Sequence, residues 1–170
     1  MADIDKLVVN VDDATEETDL HRDHYGGYFK PLTPALAEHR GALGANLTRV
    51  PPGRSACPFH YHQREDEVFF ILSGQGVFRY GERLRSIRAG DCISCPADTQ
   101  IAHQLANTGD DDLVYLALGR NDPDEVAVYP DSGKVMVRSL RRVGVFEKTD
   151  YYANEPDPPR VFGLTDTTKR

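Results

Sequence analysis

Between Gly44 and Gly119 the chain is cut into eight short β-rich runs: GANLTRV, CPFHYH, EVFFIL, GVFRY, LRSIRAGD, CISCP, AHQLAN and DLVYLALG. Turn-forming stretches such as PPG, SGQG, YGE, PADT and NTGDDD separate them. No run is long enough for an amphipathic helix, and strands this short and this evenly spaced bury enough apolar surface only as an antiparallel sandwich or barrel. The fold class is therefore all-β. EVAVY and KVMVRSL flank Pro130-Asp131-Ser132-Gly133, the pattern of a hairpin closed by a type I turn with the glycine at positive φ. Two further runs, VGVF and RVF, flank the polar stretch YYANEPDPP.

The first 44 residues read differently. LVVNV predicts a short strand, the acidic stretch Asp12–Asp19 an arm held loosely or packed on a partner subunit, and Gly26-Gly27 a turn. Thr33-Pro34 is the N-cap and first-turn proline of a short helix, Ala35–His39, ended by Gly41. The organisation expected is an N-terminal arm with a short helix (1–44), a barrel core (45–120), and a C-terminal hairpin and extension of the same domain (121–170).

Charge narrows the partners. Twenty basic against 27 acidic residues give −7, which disfavours nucleic acid and anionic membranes. No apolar stretch approaches the length of a membrane span, and the Asp-rich start lacks a signal-peptide pattern. Three cysteines suit a reducing compartment, so a cytoplasmic location is expected. Arg79, Arg83, Arg85 and Arg88 form a local basic run, read first as the solvated face of an edge strand and second as a phosphate or carboxylate site.

Chemistry concentrates between Pro51 and Gly74. His60 and His62 share a strand face, since side chains repeat their direction every second residue. Glu67, five positions beyond His62, is out of phase with them. A hairpin through Gln63–Asp66 would bring it in on the neighbouring antiparallel strand. Two imidazoles and a carboxylate so placed make a metal half-site. Glu65 and Asp66 are alternatives to Glu67, which is preferred because it adjoins the strand. Cys92 and Cys95, three apart on a strand, point to opposite faces and read as core cysteines, while Cys57 should point away from the site. His21 and His24 read as a solvated pair. Phe69, Ile71, Val77, Leu105 and Tyr115 line a pocket or fill the core.

Gly53, His60, His62, Glu67 and Gly74, followed after 15 residues by Gly90, Pro96, His103 and Asn107, resemble the two motifs of the cupin superfamily. Asp98 stands where the family has glycine, with four residues between it and His103 rather than two, and tolerates the left-handed conformation that glycine supplies. The resemblance implies a double-stranded β-helix (jelly-roll barrel) in which His60, His62, Glu67 and His103 hold one divalent transition metal. Iron, manganese, zinc, nickel and cobalt suit such donors, whereas calcium prefers oxygen. It implies a small-molecule substrate or ligand, with a dioxygenase-like enzyme as the first functional expectation; separately, the edge strands of a small barrel need covering, so a homodimer paired through the N-terminal arm or the EVAVYPDSGKVMV hairpin is expected. A metal-dependent sugar (phosphate) isomerase, epimerase or lyase is the alternative, and a non-catalytic ligand-binding barrel the third reading. The chain shows no helix-turn-helix segment, which argues against a transcriptional regulator.

Overall fold

The computed structural model describes residues 4–39 and 41–163; the remainder of the expected arm and extension lies outside the described residues. After a single helical turn, α1 (Ile4–Leu7), come β1 (Glu17–His21), β2 (Tyr25–Pro31) and a second short helix, α2 (Pro34–Glu38). The barrel strands are β3 (Leu43–Val50), β4 (Tyr61–His62), β5 (Glu67–Ser73), β6 (Gln75–Tyr80), β7 (Arg83–Arg88), β8 (Cys92–Cys95), β9 (His103–Ala106) and β10 (Leu113–Arg120). Then follow β11 (Val126–Tyr129), β12 (Lys134–Val137), β13 (Arg142–Val145) and a 3-10 turn at Arg160–Gly163. No helix among the described residues is long and apolar enough to cross a membrane.

One sheet has the order β1-β2-β3-β10-β5-β8. Opposite it lie two smaller sheets, β7-β6-β9 and β4-β11-β12-β13. A single antiparallel bridge joins these two: His60 and His103 exchange backbone hydrogen bonds of 3.2 and 2.7 Å. The result is the all-β double-stranded β-helix expected, with short N-terminal helices.

Period-two alternation decides what enters the core. On β10 Leu113 and Tyr115 are buried while Leu118 is exposed; on β5 Phe69 and Ile71 are buried while Phe70 and Leu72 are exposed. Antiparallel pairing sets Tyr115 opposite Ile71 and Ala117 opposite Phe69. Val50, Ile93, Ile87 and Leu105 close the core from β3, β8, β7 and β9. Ile71, fully buried, contributes about 2–3 kcal/mol by leaving water.

The C-terminal hairpin forms as expected, with Gly133 at φ +67° between β11 and β12. The short helix also forms, but Thr33 does not cap it. Its hydroxyl accepts from the Ala45 N–H and ties the helix to β3. Four local expectations are corrected. LVVNV is not a strand: Leu7 ends α1 and the next residues are irregular. CPFHYH yields only the two-residue β4, because Pro58 lacks a ladder donor. RVF lies in the 3-10 turn. The turn falls at Arg22–His24 rather than Gly26-Gly27, and β1–β2 extends the large sheet beside β3.

The two glycines serve packing instead. Gly26 sits at φ +93°, and a Cβ there would lie 1.8 Å from the Asp19 carbonyl oxygen. Gly26→Ala is expected to destabilise the protein by about 1–3 kcal/mol, as a strained left-handed residue that also collides with the next strand. A thermal or denaturant midpoint equal to wild type would contradict this.

β7 is an edge strand with Arg83, Arg85 and Arg88 exposed, as the first reading of the basic run had it. Arg79 differs: it stacks over Phe59 at 3.5 Å and pairs with Asp131 at 2.7 Å, pinning the β11–β12 hairpin to β6.

Candidate metal centre

His60, His62, Glu67 and His103 converge at one end of the barrel. One donor atom from each lies within 4.8 Å of all the others. His60 Nε2 is 3.0 Å from His62 Nε2, and Glu67 Oε2 is 3.2 Å from His62 Nε2 and 2.9 Å from His103 Nε2. His60 faces His103 because their backbones form the bridge between the two smaller sheets, which puts both side chains on one face. His62 shares that face two residues on.

The route of Glu67 corrects the expected hairpin. β4 pairs with β11, Ala127 opposite His62, while β5 pairs with β10 and β8. Gln63–Asp66 therefore crosses from one layer to the other, and the carboxylate meets the imidazoles from the opposing sheet. The reason is occupancy. The His60–His62 segment is already hydrogen-bonded to His103 and to β11, and His62 O accepts the Asp98 N–H at 3.0 Å. Asp98 makes that contact at φ +59°, the left-handed conformation expected of it.

Glu65 and Asp66, the alternative ligands, are engaged elsewhere. Glu65 is buried, forms a two-pronged ion pair with Arg138 (2.8 Å on one prong), and accepts the Asp122 N–H at 2.6 Å. Asp66 accepts the Ala97 N–H at 2.9 Å. His62, Glu65 and Glu125 form a second group with donor atoms close together, but the Arg138 guanidinium already supplies its cation.

Outer contacts fix how the imidazoles present themselves. The Pro58 carbonyl accepts from His60 Nδ1 at 2.7 Å, which leaves His60 Nε2 with a bare lone pair. Glu125, fully buried, lies 3.3 Å from His62 Nδ1 and is itself held by the Gln63 and Arg64 N–H groups at 2.9 and 3.0 Å. Two Nε2 lone pairs aimed at each other across 3.0 Å repel unless positive charge lies between them. A proton serves one pair; a divalent ion serves all four donors. The donor set thus fits a transition metal, and three neutral imidazoles with one carboxylate would leave it a net charge of about +1.

Electrostatics follow the same geometry. Burial, then the neighbouring His103, lowers His60 to about 4 and keeps it neutral. Burial opposes a charge on His62, but Glu67, Glu125 and Glu65 outweigh it and raise its pKa. Burial likewise opposes ionisation of Glu67, yet hydrogen bonds from His103 and His62 hold it well below the usual carboxylate range.

Glu125 escaped sequence reasoning because it is 63 residues from His62 and reads as the polar start of a strand. Glu125→Gln is expected to weaken metal binding about 10- to 100-fold, as partners that orient a ligating histidine do. Competition with a chromophoric chelator measures it; affinity within twofold of wild type would remove Glu125 from the centre.

A cavity of about 160 Å³ opens onto His60, Glu67 and His103, walled by Phe69, Leu105, Tyr115 and Ala117, with Asn46, Thr48 and Gln104 as its polar lining. Cys57 also lines it, against expectation, because residues 56–59 are irregular and strand alternation does not apply. Although Cys57 exposes surface to solvent, its thiol sits among the cavity groups; burial and the charge of Glu67 push it up to about 12. Cys95 is buried and Cys92 exposed, so they do face opposite ways, but only one belongs to the core. His21 pairs with Asp19 at the surface and His24 binds the Gly53 carbonyl, so neither joins the centre.

Comparison with known proteins agrees with this geometry. A model of the cupin domain matches residues 46–119. The oxalate-binding protein of Thermotoga maritima is 40% identical over 87 residues, 51% of this chain and 69% of that protein. The chain belongs to the cupin superfamily. Among solved cupin structures, a predicted oxalate decarboxylase from Thermotoga maritima aligns with TM-score 0.57 at 31% identity, over 66% of this chain and 97% of that one. A sugar phosphate isomerase from Silicibacter pomeroyi aligns with TM-score 0.69 at 23% identity, over 86% and 97%, a likeness of fold.

Proposed function

We propose that this cupin binds a small carboxylate of the oxalate class on a divalent transition metal held by His60, His62, Glu67 and His103. The observation that carries the reading is the convergence of those four donors beside a cavity of about 160 Å³ that His60, Glu67 and His103 line. Cavities for drug-sized ligands start near roughly 300 Å³, so this one suits a ligand of a few heavy atoms. Among the described residues no lysine or arginine lines it, so the charge of a bound carboxylate would be met by the metal. The 40% identity to a protein named for oxalate binding supports the same ligand class.

When bound, the metal would supply Lewis-acid charge and, if redox-active, oxygen chemistry. The chain's own residues do the rest. Pro58 and Glu125 aim the imidazoles, Asn46, Thr48 and Gln104 offer hydrogen bonds that orient a ligand, and Phe69, Leu105 and Ala117 exclude water. That apolar wall also favours the second reading, a dioxygenase-like enzyme. The isomerase reading has less support, because it needs a general base beside the donors. Besides those donors, the titratable groups lining the cavity among the described residues are Cys57 and Tyr115. Burial foremost pushes the Cys57 thiol up to about 12 and Tyr115 well above its ordinary value.

The test is calorimetry with oxalate on protein stripped by a chelator and reloaded with Mn(II), Fe(II) or Zn(II). Saturable 1:1 binding to the loaded protein alone is the expected result. Equal binding to the stripped protein, or none to any loaded form, would overturn the reading. Oxygen uptake with the Fe(II) form alone, across a catechol, thiol and diketone panel, would move the assignment to the dioxygenase.

A further inference from the structure

Residues 145–163 are exposed without a break, yet they carry Val145, Phe146, Tyr151, Tyr152, Val161 and Phe162. Tyr151 is 87% and Phe162 78% exposed. Between 146 and 163 every backbone hydrogen bond among the described residues is local: Ala153 to Asp150, Glu155 to Tyr152, Phe162 to Pro159. The segment has ordered turns but does not dock on its own barrel. Apolar side chains at this density mark a surface that expects a partner.

The area points the same way. A compact monomer of 19.0 kDa exposes about 8,400 Å². This chain exposes 12342 Å². Fully extended, the 11 residues outside the described set would account for at most about 1,800 Å² of the difference. About 2,000 Å² of excess remains, against the roughly 800 Å² per partner of a standard stable interface.

Charge selects the receiving surface. The segment holds four acidic side chains, Glu147, Asp150, Glu155 and Asp157, against Lys148 and Arg160. β7 is an edge strand whose Arg83, Arg85 and Arg88 side chains form no ion pair among the described residues, although the Arg88 N–H donates to Asp91 at 2.9 Å, and whose Leu84 is 72% exposed. Alternation sets Leu84 and Arg88 on one face of this edge strand and Arg83 and Arg85 on the other, and their guanidinium groups offer carboxylates a bidentate partner and tyrosine rings a cation to stack on.

We propose that residues 145–163 form an exchange arm that docks on the arginine-bearing edge strand β7 of a second copy of this chain. A two-fold axis makes the exchange reciprocal and covers both an aromatic arm and an open sheet edge in each copy. The proposal is independent of the ligand assigned to the metal centre.

Light scattering and sedimentation test it. The full chain is expected to be a dimer at micromolar concentration, and the variant lacking 146–170 a monomer with unchanged circular dichroism and metal content. In the full chain, Arg83→Glu/Arg85→Glu/Arg88→Glu should raise the dimer dissociation constant about 30-fold or more, as loss of interface anchors does. Adding Glu147→Arg/Asp150→Arg/Glu155→Arg should restore it. A monomeric full chain, a dimer indifferent to the deletion, or one indifferent to the arginine reversals overturns the proposal. Should the deletion variant not fold, the reversal and its rescue decide the matter alone.

Discussion

His62→Ala should leave a folded barrel that no longer carries its metal, with content falling from about one equivalent per chain to near zero. His62 contributes one of four converging donors. Structural Zn(II) binds four-ligand zinc-finger peptides with about 10–16 kcal/mol; by that measure an equal share per ligand is roughly 2.5–4 kcal/mol, or about 100-fold or more in affinity. The fold should tolerate the change, because Glu125 keeps its bonds from the Gln63 and Arg64 N–H groups when the imidazole is gone. His21→Ala, at an exposed histidine far from the donors in the chain, is the control that should keep full metal. Elemental analysis after dialysis against a weak chelator provides the measurement. Wild-type stoichiometry in His62→Ala would remove the assigned site.

The second large effect concerns stability. Glu65→Ala is expected to cost about 3 kcal/mol. Glu65 is buried, pairs with Arg138 through both oxygens and accepts the Asp122 N–H. Breaking a buried pair by removing one partner typically costs about 3–5 kcal/mol, since the other charge and its donors stay behind. The lower end applies because the Arg138 side chain is 37% exposed and water screens part of its charge. Glu65 also anchors the crossing from β4 to β5, so metal affinity should fall with stability. Urea denaturation of both proteins gives the difference; a loss below about 0.5 kcal/mol would mean that the crossing is held by other contacts.

Legibility in the sequence followed the range of the interaction. Turn formers and period-two runs act within a few residues, so nearly all strands of the barrel were readable. So were the left-handed Asp98 and the Gly133 hairpin, whose backbone demands are local. Reading failed where partners are distant. LVVNV has the composition of a strand but no neighbouring strand to complete it. Gly26 and Gly27 look like a turn, and only the approach of the Asp19 backbone to Gly26 and of the Arg49 backbone to Gly27 shows that they are strand residues stripped of side chains for space.

By itself, the sequence determined the all-β class, because hydrophobic alternation and turn chemistry are written residue by residue, and its resemblance to the cupin motifs pointed to four candidate donors. Tertiary structure decided how the four donors meet. His60 is set against His103 by a bridge between two sheets, and Glu67 reaches them from the opposing layer instead of along a hairpin. It also decided that Glu125 orients His62 and that Cys57 faces the cavity. The physical reason is that strand pairing and side-chain contact depend on which distant hydrogen-bonding edges are already occupied, and no local pattern records that.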